Sequence, residues 1–364
     1  MSVPDPATEA MARAQQEYER AQLRLRNGMR YMAGGFEPDV GQSPKETVWR
    51  SGKAELWRYI VDEVSVRPPV LIVPSLVSKS YVVDLQPHNS FVGALGRAGL
   101  DIFLLDWGIP DEIDSENTFE TYVDQLLPAA IDVVHARAGA EDVTLIGHCF
   151  GGILALLLAA SHPEIAVRGL VTMATPADYS KLGVIVALLR EGRLEPEDVI
   201  DETGNVPPEV ILQAFKLVKP TDDMVQYVTL WQNLWNDRFL EGYMAINTWA
   251  KDQIPFPGAL CRQVVRSLIR DNALIHGRLP LGGRTVSLET VMCPYLNVAA
   301  EKDNIVPLAS VEPLADLVGS DDAQTLRLPT GHIGYVVGRS ASQTTIPAII
   351  QWIVQRSERT VAAS

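Results

Sequence analysis

A cysteine flanked by glycines is the strongest chemical signal in the sequence. Cys149 stands in the pattern Gly147-x-Cys149-x-Gly151, after the strand-type segment VTLI and before the helical segment ILALLLAA. A strand, a sharp turn and a helix form a nucleophile elbow, where glycines leave room on both sides of the nucleophile. A thiol can take an acyl group from a thioester and pass it on, because bonds of similar energy break and form. The pattern predicts acyl transfer from a thiol carrier; the alternative is a cysteine that only packs.

A thiol nucleophile needs a base and a group that orients the base. In folds with this elbow, an acid and then a histidine follow the nucleophile along the chain. Asp303 lies in AEKDNIVP and His332 in PTGHIG, each just after a strand pattern. Because the carboxyl ends of neighbouring parallel strands meet at one edge of a sheet, we predict that Cys149, Asp303 and His332 are the catalytic residues. The alternatives are a capping role for Asp303 and an ordinary loop position for His332.

An acyl-transfer intermediate also needs hydrogen-bond donors for its oxyanion. The first predicted donor is the backbone N–H of Phe150, which follows the nucleophile. The second is expected in the loop after PVLIVP, at Leu76, with Val77 as the next choice. The sequence has no CxxC or HExxH motif, so no metal site is predicted.

Short apolar segments alternate with helical ones and predict the elements that position these residues. Continuous apolar runs are typical of parallel strands buried on both faces, so the predicted class is an α/β-hydrolase fold with a mostly parallel sheet. The predicted domains are an N-terminal helix and linker (1–45), a first core part (46–177), an inserted helical cap (178–283) and a second core part (284–364). Ser51-Gly52-Lys53 predicts a hairpin. The strand patterns are PVLIVP, DIFLLD, DVTLIG, RGLVTM, PYLNVAA and QTLRLP.

Charge and length exclude several classes of protein. The chain has 364 residues with 45 acidic and 31 basic side chains, a formal charge of −14. An extended nucleic-acid-binding surface is therefore not expected, because phosphate binding needs clustered Lys and Arg. No secretory signal and no apolar run near the ~20 residues of a membrane span are found, so we expect a cytoplasmic protein without a transmembrane segment.

The N-terminal region predicts an amphipathic helix. Apolar residues recur at steps of three and four between Ala10 and Met32, with Gly28 interrupting them. The apolar face either packs on the body of the chain or pairs with a partner subunit.

The motifs together resemble polyhydroxyalkanoate synthases. The resemblance runs from about Glu46 to the C-terminus and includes LIGHCFGGILALLLAASHPE, DIFLLDWGIPDE, AEKDNIVP and PTGHIGYVVG. It implies polymerisation of 3-hydroxyacyl-CoA, with 3-hydroxybutyryl-CoA as the expected substrate, and release of CoA. Cys149 would hold the growing polyester, His332 would activate it, and Asp303 would orient His332 or act on the substrate hydroxyl. Two residues depart from the family pattern: Ser78 replaces a usual Asn, and His148 replaces a Tyr, Phe or aliphatic residue.

The resemblance also implies partners. Short members work with a second, non-catalytic subunit, so a homodimer or hetero-oligomer at the surface of polyester granules is expected. No cofactor is expected, since coenzyme A arrives as the substrate thioester. Because the protein as a whole repels CoA, we predict that Arg262, Arg266 and Arg270, spaced at i, i+4 and i+8, bind its phosphates; the alternative is a solvated helix face.

Two other functions fit parts of the sequence. A cysteine hydrolase of the dienelactone-hydrolase kind, or an acyl-CoA thioesterase, would share the elbow but would not need so long a cap. An inactive granule-binding homologue would keep the scaffold without its chemistry.

Overall fold

The centre of the computed structural model, which describes residues 5–87, 89–218 and 222–359, is a nine-stranded sheet. The strands of the described residues are β1 (Lys45–Ser51), β2 (Ala54–Tyr59), β3 (Val66–Val73), β4 (Leu100–Asp106), β5 (Val143–His148), β6 (Val167–Met173), β7 (Asn205–Val206), β8 (Phe256–Pro257), β9 (Leu279–Leu281), β10 (Arg284–Val286), β11 (Tyr295–Ala300), β12 (Ala323–Leu328) and β13 (Glu358–Arg359). The sheet order is β1-β2-β4-β3-β5-β6-β11-β12, and β13 pairs with β3. Pairs from β4 through β12 are parallel, whereas β1, β2 and β13 pair antiparallel.

Helices cover both faces of this sheet. The α-helices are α1 (Pro6–Met32), α2 (Phe91–Arg97), α3 (Leu127–Ala138), α4 (Phe150–Ser161), α5 (Val184–Arg190), α6 (Pro208–Val218), α7 (Asp222–Asn233), α8 (Asp237–Lys251), α9 (Gly258–Gln263), α10 (Leu308–Val311), α11 (Leu314–Leu317), α12 (Gly338–Ser340) and α13 (Ile346–Gln355). Wider π-helical turns span Thr121–Leu126, Val264–Arg270 and Ala341–Thr345. Short 3-10 helices span Ser80–Asp84, Glu112–Glu116, Tyr179–Lys181, Pro196–Asp198, Leu288–Thr290 and His332–Tyr335.

Alternate residues of the central strands point to opposite faces of the sheet. On β3, Leu71 and Val73 pack into a core that α3 and α4 cover, whereas Val70 and Ile72 pack into a second core against α2 and α13. All four side chains are fully buried. Burial on both faces explains the unbroken apolar run from Val70 to Val73. The order and direction of the strands, with helices on both faces, agree with the predicted α/β-hydrolase fold with a mostly parallel sheet.

The segment between β6 and β11 is largely helical and contains α5 to α9. It also contains two short antiparallel pairs, β7 with β8 and β9 with β10, which the sequence analysis did not predict. Strands of two or three residues are too short to show alternation of apolar and polar positions. The predicted domain boundaries remain predictions, and their residues 1–4, 88, 219–221 and 360–364 lie outside the described part of the chain.

Helix α1 begins at Pro6, four residues before the predicted start, because Asp5 caps it and accepts a hydrogen bond from the N–H of Ala7. Its C-terminal half packs on the cap. Asn27 donates to the carbonyl of Leu234 at 2.7 Å, and Arg26 forms a two-pronged ion pair with Asp237 at 2.8 Å. Large apolar side chains of the opposite face are exposed: Met11, Tyr18, Leu25, Met29 and Met32. The helix therefore packs on its own chain and leaves an apolar surface exposed.

Candidate active site

Cys149 occupies the sharp turn between β5 and α4. Its φ of 53° and ψ of −120° lie in a region that side-chain-bearing residues rarely adopt. The N–H of Cys149 donates to the carbonyl of Met173 on β6 at 2.8 Å, which fixes the turn to the neighbouring strand. This backbone strain, on the order of 1–3 kcal/mol, is typical of a nucleophile elbow.

The flanking glycines are required by close backbone approach. A Cβ at Gly151 would collide with the carbonyl oxygens of Val73 and Pro74, and a Cβ at Gly147 would collide with the backbone of Gly152. Strand β3 thus runs directly beside the start of α4, and only glycine, which has no Cβ, allows so close an approach of the two backbones.

His332 and Asp303 are joined by a hydrogen bond of 2.7 Å between Nδ1 and Oδ2. They follow β12 and β11, which are adjacent and parallel, as the sequence analysis expected. The other carboxylate oxygen, Oδ1, accepts from the N–H groups of Ile305 and Val306 at 2.9 and 2.8 Å. The Asp303 side chain is fully buried. Hydrogen bonds therefore hold both carboxylate oxygens of Asp303, and Asp303 in turn sets the orientation of the His332 imidazole.

Electrostatics favour the protonated form of His332. Burial alone would lower its pKa, but the charge of Asp303 and its hydrogen bond outweigh burial, and the Cys149 thiol acts in the same direction. Together they raise the pKa of His332 to about 10. An imidazole with so strong an affinity for a proton is suited to take one from a thiol. Burial raises the pKa of Cys261 and of Cys293 to about 11, which disfavours the thiolate form of these two cysteines.

A second histidine stands beside the site. The ring of His148, the last residue of β5, lies with its centroid 5.9 Å from that of His332. Burial, and then the charge of His332, lower the pKa of His148 to about 3. His148 is therefore a neutral neighbour. Sequence reasoning identified His148 only as a departure from a family pattern, because its contact with a loop that comes 184 positions later in the chain has no local signal.

A cavity of about 850 Å³ opens onto Cys149 and His332. The core supplies Ser75 and Ile305 to its wall, while α6 and α8 supply apolar and aromatic residues such as Phe215 and Trp249. Helix α1 contributes Tyr31 to the same wall. A site of this size and apolar character can hold an acyl chain and exclude water from a thioester.

The predicted oxyanion donors lie near the nucleophile. Phe150 is the first residue of α4, where a backbone N–H has no partner within the helix. Leu76 lies in the loop after β3 with its side chain buried in the core, and the neighbouring Val77 lines the cavity. The carbonyl of Val77 accepts from the N–H of Ile254, so the cap contacts this loop directly. Both donors remain predictions.

The three predicted CoA-binding arginines are exposed on α9 and the π-helical turn after it. None of them is among the residues that line the cavity within the described chain. Arg262 pairs with Glu197 at 2.9 Å and Arg270 with Glu195 at 2.7 Å. The structure therefore does not bring this stripe, which includes Arg266, together with the catalytic residues.

Comparison with known proteins identifies the fold and the relatives of the chain. The profile of the alpha/beta hydrolase fold matches residues 68–338, and that of the poly-beta-hydroxybutyrate polymerase (PhaC) N-terminus matches residues 17–95. The "Poly(3-hydroxyalkanoate) polymerase subunit PhaC" of Allochromatium vinosum is 32% identical over 97% of this chain and 98% of its own. The proteins of the same name from Synechocystis and Haloferax mediterranei are 32% and 34% identical over 91% and 88% of this chain. The chain spans 90% of the Synechocystis protein and 66% of the Haloferax protein.

Solved structures support the fold at lower identity. A hydrolase from Pseudomonas aeruginosa is 16% identical with a TM-score of 0.54, covering 86% of this chain and 99% of its own. Epoxide hydrolase A from Mycobacterium thermoresistibile is 17% identical with a TM-score of 0.52, covering 88% and 100%. These likenesses concern the fold alone. In the described part of the chain, no helix combines the length and apolar character that crossing a bilayer requires.

Proposed function

The chain belongs to the poly(3-hydroxyalkanoate) polymerase family, PhaC, whose activity is polyester-forming acyl transfer, and we propose that it polymerises 3-hydroxyacyl-CoA through a thioester on Cys149. 3-Hydroxybutyryl-CoA is the proposed substrate. The observation that carries the proposal is the 2.7 Å bond between His332 and Asp303, with His332 and the nucleophile-elbow cysteine lining one largely apolar cavity.

The reaction proceeds in two acyl transfers. In the first, His332 takes the proton of Cys149 and the thiolate attacks the thioester carbonyl; the bond from carbon to the CoA sulfur breaks, and CoA leaves with the proton. In the second, His332 takes the proton of a substrate or chain hydroxyl, whose oxygen attacks the Cys149 thioester. An ester forms as the bond from the carbonyl carbon to the Cys149 sulfur breaks, and His332 returns its proton to that sulfur. The N–H of Phe150 stabilises the oxyanion in both steps.

Asp303 is proposed to orient His332 rather than to act on the substrate hydroxyl. Its side chain is fully buried, and it is not among the described residues that line the cavity. Its two oxygens are already engaged by His332 and by two backbone N–H groups. A carboxylate in this setting stabilises the imidazolium that forms during catalysis.

We also propose that the enzyme works as a homodimer or hetero-oligomer with a second, non-catalytic subunit at the surface of cytoplasmic polyester granules. The exposed apolar side chains of α1, including Tyr18 and Leu25, support this proposal. The relatives are also described as subunits. Light scattering of the purified chain, alone and with the granule proteins of its source cell, tests this proposal. A chain that stays monomeric alone and forms no complex with any granule protein contradicts the proposal.

The test of activity follows every product. The purified chain, alone and with extract of its source cell, is given 3-hydroxybutyryl-CoA while free CoA, free 3-hydroxybutyrate and insoluble polyester are measured. Polyester with stoichiometric CoA supports the proposal, whereas free hydroxy acid indicates a thioesterase and no CoA release indicates a binding protein. Cys149→Ala should abolish polyester formation. Cys261→Ala is the matched control and should leave it unchanged.

A further inference from the structure

We propose that Lys216 and Lys251, at the rim of the cavity, bind the phosphate groups of the CoA thioester. This inference deepens the proposed function and depends on it, since it names the residues that hold the substrate carrier. It replaces the arginine stripe as the phosphate site.

The position of the two lysines supports the inference. Lys216 lies on α6 and Lys251 is the last residue of α8, and both line the cavity that contains Cys149 and His332. Both side chains are exposed, so their ammonium groups are accessible to a highly charged ligand. A substrate whose acyl end reaches the thiol through this cavity leaves its charged end at such a rim.

The rim of the cavity differs in charge from the rest of the molecule. The chain carries a formal charge of −14, yet none of the lining residues that the structure describes is an aspartate or glutamate. Over the described ranges, neither lysine has a carboxylate within ion-pair distance, whereas Arg262 and Arg270 each have one. Two free cations in an otherwise acidic protein attract a phosphate ester to this opening.

The uncharged side chain of Gln253 supports the same orientation of CoA in the cavity. The Oε1 atom of Gln253, a lining residue, is buried and has no hydrogen-bond partner among the described residues. Its Nε2 already donates to the carbonyl of Ala250. An unpartnered buried acceptor calls for a donor, and the amide N–H groups of the pantetheine arm of CoA supply one.

The experiment measures binding and KM for ligands with and without phosphate. The full chain, with Lys216→Glu and Lys251→Glu together, is titrated calorimetrically with CoA and with pantetheine. We expect the Kd for CoA to rise at least tenfold and that for pantetheine to change less than twofold. The control pair Arg262→Glu and Arg270→Glu should change neither, and Lys216→Met with Lys251→Met gives a milder variant if the charge reversal impairs folding.

The outcomes separate the site from the function. An unchanged Kd for CoA in the lysine variants, or a loss of CoA binding in the arginine control, overturns the lysine site. If the wild-type chain turns over 3-hydroxybutyryl-CoA but the lysine variants keep its KM, only the site is wrong. If the wild-type chain and source-cell extract together consume no 3-hydroxybutyryl-CoA, the proposed function is wrong and the site with it.

Discussion

His148 and His332 lie with ring centroids 5.9 Å apart and have opposite affinities for protons. Burial lowers the pKa of His148 to about 3, whereas Asp303 raises that of His332 to about 10 despite burial. The carboxylate decides the difference, because it is hydrogen-bonded to one ring only. Of these two neighbouring imidazoles, only that of His332 can therefore act as a base.

Replacing His148 should change catalysis and the free energy of unfolding only slightly. Its Nε2 atom is buried with no partner among the described residues, which is unfavourable by about 1–3 kcal/mol. We expect His148→Phe to keep the pH dependence of kcat and to leave the unfolding free energy within about 1 kcal/mol of wild type. Kinetics from pH 5 to 9 and urea unfolding check this, and a displaced pH profile would show that His148 exchanges protons during turnover.

Removing the charge of Asp303 should impair catalysis strongly. In Asp303→Asn the amide no longer stabilises the imidazolium and can favour the wrong tautomer of His332. We expect kcat to fall by about 10²–10⁴-fold. Glu301→Gln, an exposed acid-to-amide change in the same loop, is the control and should retain wild-type kcat. Equal losses in both variants would argue against a specific role for Asp303.

The raised pKa of His332 predicts how stability varies with pH. A group whose pKa is higher in the folded state stabilises the fold fully below its unfolded pKa, about 6.5, and loses that contribution as pH rises through about 10. The difference in unfolding free energy between wild type and His332→Gln should therefore shrink between pH 6 and pH 10. Urea unfolding at both values measures it, and a difference that grows with pH would contradict the assignment.

The end of α8 should control the loop that follows β3. Asp252 accepts from the hydroxyl of Tyr81 at 3.0 Å and pairs with Lys79 at 3.1 Å, while Trp249 donates to the carbonyl of Lys79. Asp252→Ala releases this loop, which carries a predicted oxyanion donor, Leu76. We expect kcat to fall about tenfold, less than the 10²–10³-fold loss of a whole donor, with KM unchanged.

Tyr81→Phe removes only one of the two contacts of Asp252 and serves as the graded control. It should lower kcat less than Asp252→Ala does. If both variants change KM and leave kcat intact, the contact positions substrate rather than the oxyanion loop.

The fold was predictable from the sequence, and the three candidate catalytic residues could be selected from it, because their signals are local. An apolar strand, a glycine-flanked cysteine and an apolar helix follow one another within about twenty residues, and chain order assigned Asp303 and His332. The polar groups around the site were not predictable in this way. Lys79 and Asp252 meet across 173 positions of the chain, and no periodicity encodes such a contact.

Periodicity led to a predicted phosphate site that lies away from the cavity. Arg262, Arg266 and Arg270 form a regular stripe, yet two of them meet glutamates and none reaches the cavity among its described lining residues. Lys216 and Lys251 lie on different helices and share no pattern along the chain. Regular spacing shows that residues share a helix face, but only the tertiary structure shows what that face meets.

Helix α1 extends from the protein surface to the cavity that contains Cys149 and His332. Its first turns expose apolar side chains such as Met11 and Tyr18 to solvent, whereas Tyr31 near its end forms part of the cavity wall. Asn27 and Arg26 fasten the helix to the cap between these points. A partner that binds the outer turns would therefore contact the same helix that supplies Tyr31 to the cavity wall, without touching the catalytic residues.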